Sequence, residues 1–88
     1  MPKVVITHQV PDVERWLTFK AERVDILAPF ATHVTDHVAL DGSKNVAVTA
    51  EVRDMAALRS ALASPSPELA AAMERHGVIP PLAVYVEK

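Results

Sequence analysis

Cysteine is absent from this 88-residue chain. That absence excludes disulfides, iron–sulfur clusters, thiolate zinc sites and cysteine nucleophiles together. It also leaves a small chain without covalent staples. Glycine is almost as scarce, with only Gly42 and Gly77, so no glycine-rich phosphate loop is present. Long apolar runs are missing as well. None approaches the ~20 residues of a membrane span, and the opening MPKVVITHQV meets His8 too soon for a signal-peptide core. The expectation is a soluble, cytoplasmic protein with no membrane partner. No excess of one charge stands out: 9 basic and 11 acidic residues leave a formal −2, which argues against a dedicated nucleic-acid binder.

What is present is a chain 50% hydrophobic and 23% charged, the composition of one globular domain spanning residues 1–88. A domain of this size buries only roughly 60–65% of its unfolded surface. Oligomerisation is therefore an expected source of stability.

Residues 3–10 are β-branched and extended, and Pro11 ends them. Asp12 is placed as an N-cap, with Glu14 in the first turn. Val13, Trp16, Leu17, Ala21, Val24, Leu27 and Ala28 then recur at three- and four-residue spacing. The spacing predicts one amphipathic helix, stopped before Pro29. Residues 33–40 and 46–53 read as strands around the turn DGSKN. Setting Leu40 opposite Val46, Val38 opposite Val48 and Val34 opposite Val52 places all six apolar side chains on one face. Asp54 caps a helix carrying Met55, Leu58 and Leu62. The segment SPSPE interrupts it, and Ser66–Pro67 restarts it, with Leu69, Ala72 and Met73 on the buried side and Gly77 as terminator. A last strand is expected over 82–88. The order β-α-β-β-α-β predicts an α+β, ferredoxin-like domain: a four-stranded antiparallel sheet with its helices on one face.

Alternation turns Val4, Ile6, Val46, Val48, Leu82, Val84 and Val86 toward the helices. The opposite face then carries Val5, Thr7, Gln9, Thr35, His37, Ala39, Ala47, Thr49, Ala83 and Tyr85, too few charges for a merely solvated surface. Contact with a second sheet is expected there, and Tyr85 reads as an interface residue.

Among candidate functional residues His8 stands first. Alternation with Val4 and Ile6 points it toward the helices, where Trp16 faces the same cleft. A neutral imidazole in an apolar pocket can take or give a proton at neutral pH, and an indole supplies a flat ligand wall. The structural alternative is a His8 bonded to the backbone near Asp12 and a Trp16 whose N–H is satisfied in the core. Asp36 falls on the helix-facing side of an edge strand, where an inward charge blocks aggregation or orients a pocket group. His33 and His37 lie four apart on a strand, ~13 Å end to end, so no metal site is expected from them. Glu51 is placed diagonally near His37 as a charge pair. Arg75 and His76 read as partners of the helix dipole.

The stretch His8-Gln9-Val10-Pro11-Asp12-Val13-Glu14-Arg15-Trp16 resembles the H-x-V-x-D-x-x-x-W opening of small dimeric α/β-barrel proteins, distant relatives of antibiotic-biosynthesis monooxygenases and of cyclase-like and stress-responsive barrels. Ala63-Ser64-Pro65, Pro67-Glu68-Leu69 and Met73-Glu74-Arg75-His76-Gly77-Val78 resemble their second-helix signature. The resemblance implies a homodimer whose sheets pack face to face, with a pocket between sheet and helices in each subunit. It also implies activity that often needs no metal or prosthetic group, although haem-degrading members bind haem, and no cofactor is expected here. Two readings follow: a cofactor-independent enzyme acting on a hydrophobic organic molecule, with His8 as acid/base and Trp16 and Asp36 at the ligand, or a non-catalytic module that binds a ligand or a protein. A cleft reaching His8, with a second ionisable group in it, favours the first.

Overall fold

The computed structural model describes residues Met1–Lys88. Eight elements follow in order: β1 (Lys3–Gln9), α1 (Val13–Leu17), α2 (Lys20–Leu27), β2 (Ala31–Val38), β3 (Asn45–Val52), α3 (Met55–Ala63), α4 (Pro67–His76) and β4 (Ile79–Val86). The strands form one antiparallel sheet in the order β2-β3-β1-β4. With α1–α2 as the first helical region and α3–α4 as the second, this is the expected ferredoxin-like βαββαβ arrangement. No helix is long and apolar enough to cross a membrane.

Local punctuation accounts for most boundaries. Asp12, Asp54 and Ser66 each accept the N–H three residues on, from Arg15, Ala57 and Leu69 at 3.0–3.2 Å. These bonds satisfy donors that a helix start otherwise leaves orphaned. Gly77 ends α4 at φ +77, and a Cβ there would stand 3.1 Å from Pro11 Cδ. Both its conformation and its close approach to Pro11 therefore favour glycine. On β1 and β3 alternation holds: Val4, Ile6 and His8, with Val46, Val48, Ala50 and Val52, are buried.

The single helix expected from 13 to 28 is two helices. Thr18 and Phe19 donate their N–H groups to residues three back, Arg15 and Trp16, at 3.1 Å. The tightened turn leaves the Trp16 carbonyl to accept from Arg23 Nη2 at 2.8 Å. The interruption rotates α2, so Arg23 is buried while Val24, Ala21 and Ala28 are exposed. The expected stripe therefore fails beyond Leu17, apart from Leu27.

The β2–β3 register is two residues from the one expected: Val38 pairs with Val46, Asp36 with Val48 and Thr35 with Thr49. A slide of two keeps every side chain on the same face, so alternation alone cannot choose between the registers. Leu40 lies outside the strand and is fully exposed. A bulge between Thr32 and Thr35, with His33 at φ 56, inserts a residue, so Ala31 and Val34 both pack into the core. Finally, β4 begins at Ile79, three residues before the expected start, and takes Pro80 and Pro81 into an edge strand, where missing N–H donors are tolerated.

Candidate functional site

His8 projects from the buried face of β1 near its end. Its Nδ1 lies 3.1 Å from the Gln9 carbonyl. A carbonyl only accepts, so Nδ1 carries the proton and Nε2 of the neutral ring is left as a free acceptor. The ring meets Trp16 edge-on, with centroids 6.1 Å apart. Trp16 is completely buried, yet its Nε1–H has no hydrogen-bond partner. Of the structural alternative, His8 does bond backbone, but at the adjacent Gln9 carbonyl rather than near Asp12, and the satisfied indole is not found.

Against the other side of this pair stands Arg23. Its guanidinium carbon lies 4.0 Å from the Trp16 ring centre, a cation–π contact. Nε and Nη2 grip both oxygens of Asp36 at 3.0 and 2.7 Å. The same Nη2 reaches the Trp16 carbonyl, and Nη1 lies 3.2 Å from His76 Nδ1. Arginine only donates, so His76 accepts at Nδ1 and carries its proton on Nε2, which meets Glu22 Oε1 at 3.0 Å. That oxygen also takes Arg75 Nη2 at 2.5 Å. Phe19 stacks on the His76 ring, with centroids 4.6 Å apart. One Arg23 side chain thus ties together α1, β2 and α4.

Between these groups and the helices lies a cavity of about 80 Å³. Its polar lining is His8, Trp16, Arg23 and His76. The rest is mainly aliphatic, from Ile6 and Val48 of the sheet to Leu69 and Met73 of α4. Burial holds the His8 pKa below the ordinary histidine value of 6.5, partly offset by the Gln9 carbonyl and reinforced by the charges of Arg23 and His76. Burial lowers His76 too, against the opposing pull of its bond to Glu22. Both rings are therefore neutral at pH 7. Glu22 is held below its ordinary value, first by Arg75 and then by His76.

The structure brings His8 and Trp16 together as expected and gives Asp36 a definite partner. Arg23 was missed, because one arginine within an apolar stripe reads as solvent-facing. The dipole role expected of His76 is corrected to a buried place in the Arg23–Glu22 chain, and Arg75 reaches Glu22. The expected Glu51–His37 pair is also corrected: Glu51 pairs across the sheet with Thr32, and its carboxylate meets His33 at 2.5 Å. No group of three or more histidine or carboxylate side chains is arranged to hold a metal ion.

A ferredoxin-like sheet with an imidazole and an indole in the helix–sheet cleft defines an α+β domain with a candidate small-molecule site. Its structural neighbours are antibiotic biosynthesis monooxygenase-like proteins. The crystal structure of an antibiotic biosynthesis monooxygenase aligns over all of this chain and 97% of its own, with a TM-score of 0.66 at 16% identity. A Deinococcus radiodurans protein assigned to the same class aligns over all of this chain and 91% of its own, with a TM-score of 0.62 at 13% identity. Rv0793 from Mycobacterium tuberculosis covers 94% of its length, with a TM-score of 0.55 at 19% identity. At these identities the likeness is one of fold. No protein-family model and no curated protein matches the sequence.

Proposed function

We propose that this protein is a cofactor-independent, monooxygenase- or cyclase-like domain that binds a hydrophobic organic small molecule in the helix–sheet cleft and moves a proton with His8. The observation that carries the reading is a buried, neutral His8 whose unengaged Nε2 belongs to a ring lining an otherwise largely aliphatic cavity, beside the Trp16 wall. In such a place the imidazole can take a proton from an acidic O–H or C–H of the ligand. The Arg23–Asp36 pair, with the further Arg23 bonds to His76 and to the Trp16 carbonyl, would keep the indole wall in position. A cavity of about 80 Å³ is small beside the roughly 300 Å³ or more of a drug-sized site. A larger ligand would enter by displacing Leu69 and Met73, the latter unbranched and adaptable.

The reading includes a homodimer. Val5, Thr7, Ala47 and Thr49 form a charge-poor open face, and Tyr85 on the same face is 62% exposed. A second copy would cover them, and Thr49→Arg should weaken that association, measured by light scattering across a dilution series. A 9.6 kDa species at every concentration would remove the dimer from the reading.

The test of the site is His8→Ala. Its melting temperature should stay within a few degrees of the parent, since the lost bond is to an adjacent carbonyl. Its response to any ligand found by native mass spectrometry should vanish. Retained ligand response in a destabilised variant would make His8 scaffold, and the domain a binding module.

A further inference from the structure

Two polar atoms of the residues lining the cavity have no partner within the chain. The fully buried Trp16 keeps an unbonded Nε1–H, although a buried indole donor ordinarily finds an acceptor. His8, also more than nine-tenths buried, uses only Nδ1 and leaves Nε2 as an acceptor. The remaining charge nearby is already neutralised, because Asp36 takes Arg23 at both oxygens.

These facts narrow the ligand's chemistry. A carboxylate would find no free positive charge and would face the lone pair of Nε2. A carbonyl would satisfy the indole alone, and an ammonium only the imidazole. A hydroxyl supplies both halves: its O–H donates to His8, and its oxygen accepts from Trp16. Size narrows it further. A dry cavity of roughly 150 Å³ accommodates benzene, so at about 80 Å³ even a single ring enters only as α4 side chains such as Leu69 and Met73 move aside, which favours a compact ligand. Resting on the reading of this cavity as a ligand site, we propose that its ligand is a compact, uncharged hydroxyl compound of about one ring, held by O–H to His8 Nε2 and by Trp16 Nε1–H to its oxygen.

The experiment compares phenol with toluene, which have nearly the same shape and differ in the hydroxyl. Trp16 is the sole tryptophan, so its indole N–H gives a single nuclear magnetic resonance signal, and the Met73 methyl reports filling of the cavity. Both compounds should shift the Met73 methyl. Phenol alone should move the indole proton downfield, and it should bind on the order of tenfold tighter, the factor one net hydrogen bond supplies. His8→Phe should bring the two affinities close together. Toluene binding as tightly as phenol, with no indole shift from either, overturns the hydroxyl assignment and leaves the cavity a ligand site. If neither compound moves the Met73 methyl, the cavity reading itself falls, and the assignment with it.

Discussion

The helix-covered face of the sheet has two ends built from different chemistry. Toward α3, Val4, Ala31, Ala50, Val52 and Leu58 pack into a wholly apolar cluster. Toward α1, the cluster of Val10, Trp16, Val46 and Val48 adjoins four buried or nearly buried polar side chains: His8, Arg23, Asp36 and His76. The first end needs only volume and hydrophobicity. The second must offset the desolvation of an ion pair with bonds of defined geometry, and burial of an ion pair is rarely the cheapest route to stability. It still leaves the Trp16 N–H unpaired. A well-satisfied scaffold at one end and a costly, incompletely satisfied one at the other is the division expected when one end serves as a site.

The sharpest way to break this contrast is Arg23→Met. It leaves the Asp36 carboxylate, whose side chain is 3% exposed, without its counter-charge, and it strips donors from the Trp16 carbonyl and from His76. Urea unfolding should show a loss of about 3–5 kcal/mol. Adding Asp36→Leu should recover much of it, because the uncompensated charge is then gone. A single variant losing under about 1 kcal/mol would mean that the pair does not hold this end together.

At the apolar end, Leu58→Ala should cost about 2–4 kcal/mol through lost burial and the cavity left behind. It should leave ligand affinity at the other end unchanged, since Leu58 is not part of that cavity's wall. A matching fall in affinity would show the two ends to be energetically one.

A smaller effect follows from the histidines. Both His8 and His76 are shifted below 6.5 in the folded protein, so as pH falls through that value the unfolded chain takes up protons first. Stability is therefore full above pH 6.5 and declines below it, until the folded-state values are reached. The melting temperature should drop over this window. His76→Gln, whose amide oxygen can still accept from Arg23, should flatten the drop. An unchanged profile in that variant would exclude His76 as a source.

The smallest expected effect tests the rotation of α2. Val24 is 40% exposed, so Val24→Lys should change stability by no more than about 0.5 kcal/mol in thermal unfolding. In the uninterrupted helix that the apolar spacing suggested, the same change would bury a charge.

The pattern of what was legible follows the range of the interactions. His8 and Trp16 could be found because β1 alternates regularly and Trp16 lies only one turn into α1. Asp36 could be placed on the inner face of β2, though not given its partner. Arg23 carried no local signal: Val24 beside it fits the apolar repeat better, and only the interrupted turn at Thr18–Phe19 brings Arg23 inward. His76 at a helix end had a sufficient local explanation in the dipole, and that explanation concealed its buried role.

By itself the sequence determined the order of elements, the three side-chain caps, the stop at Gly77 and the inward faces of β1 and β3. Each of these has its cause within a few residues, in a capping oxygen, a proline, a glycine or a period of two. Only the tertiary structure decided the break after α1, the two-residue slide of β2 against β3, and the gathering of Arg23, Asp36 and His76 beside Trp16. Those bonds join residues 13 and 53 positions apart. A slide of two residues leaves alternation unchanged, so their geometry is not written in any local repeat of the chain.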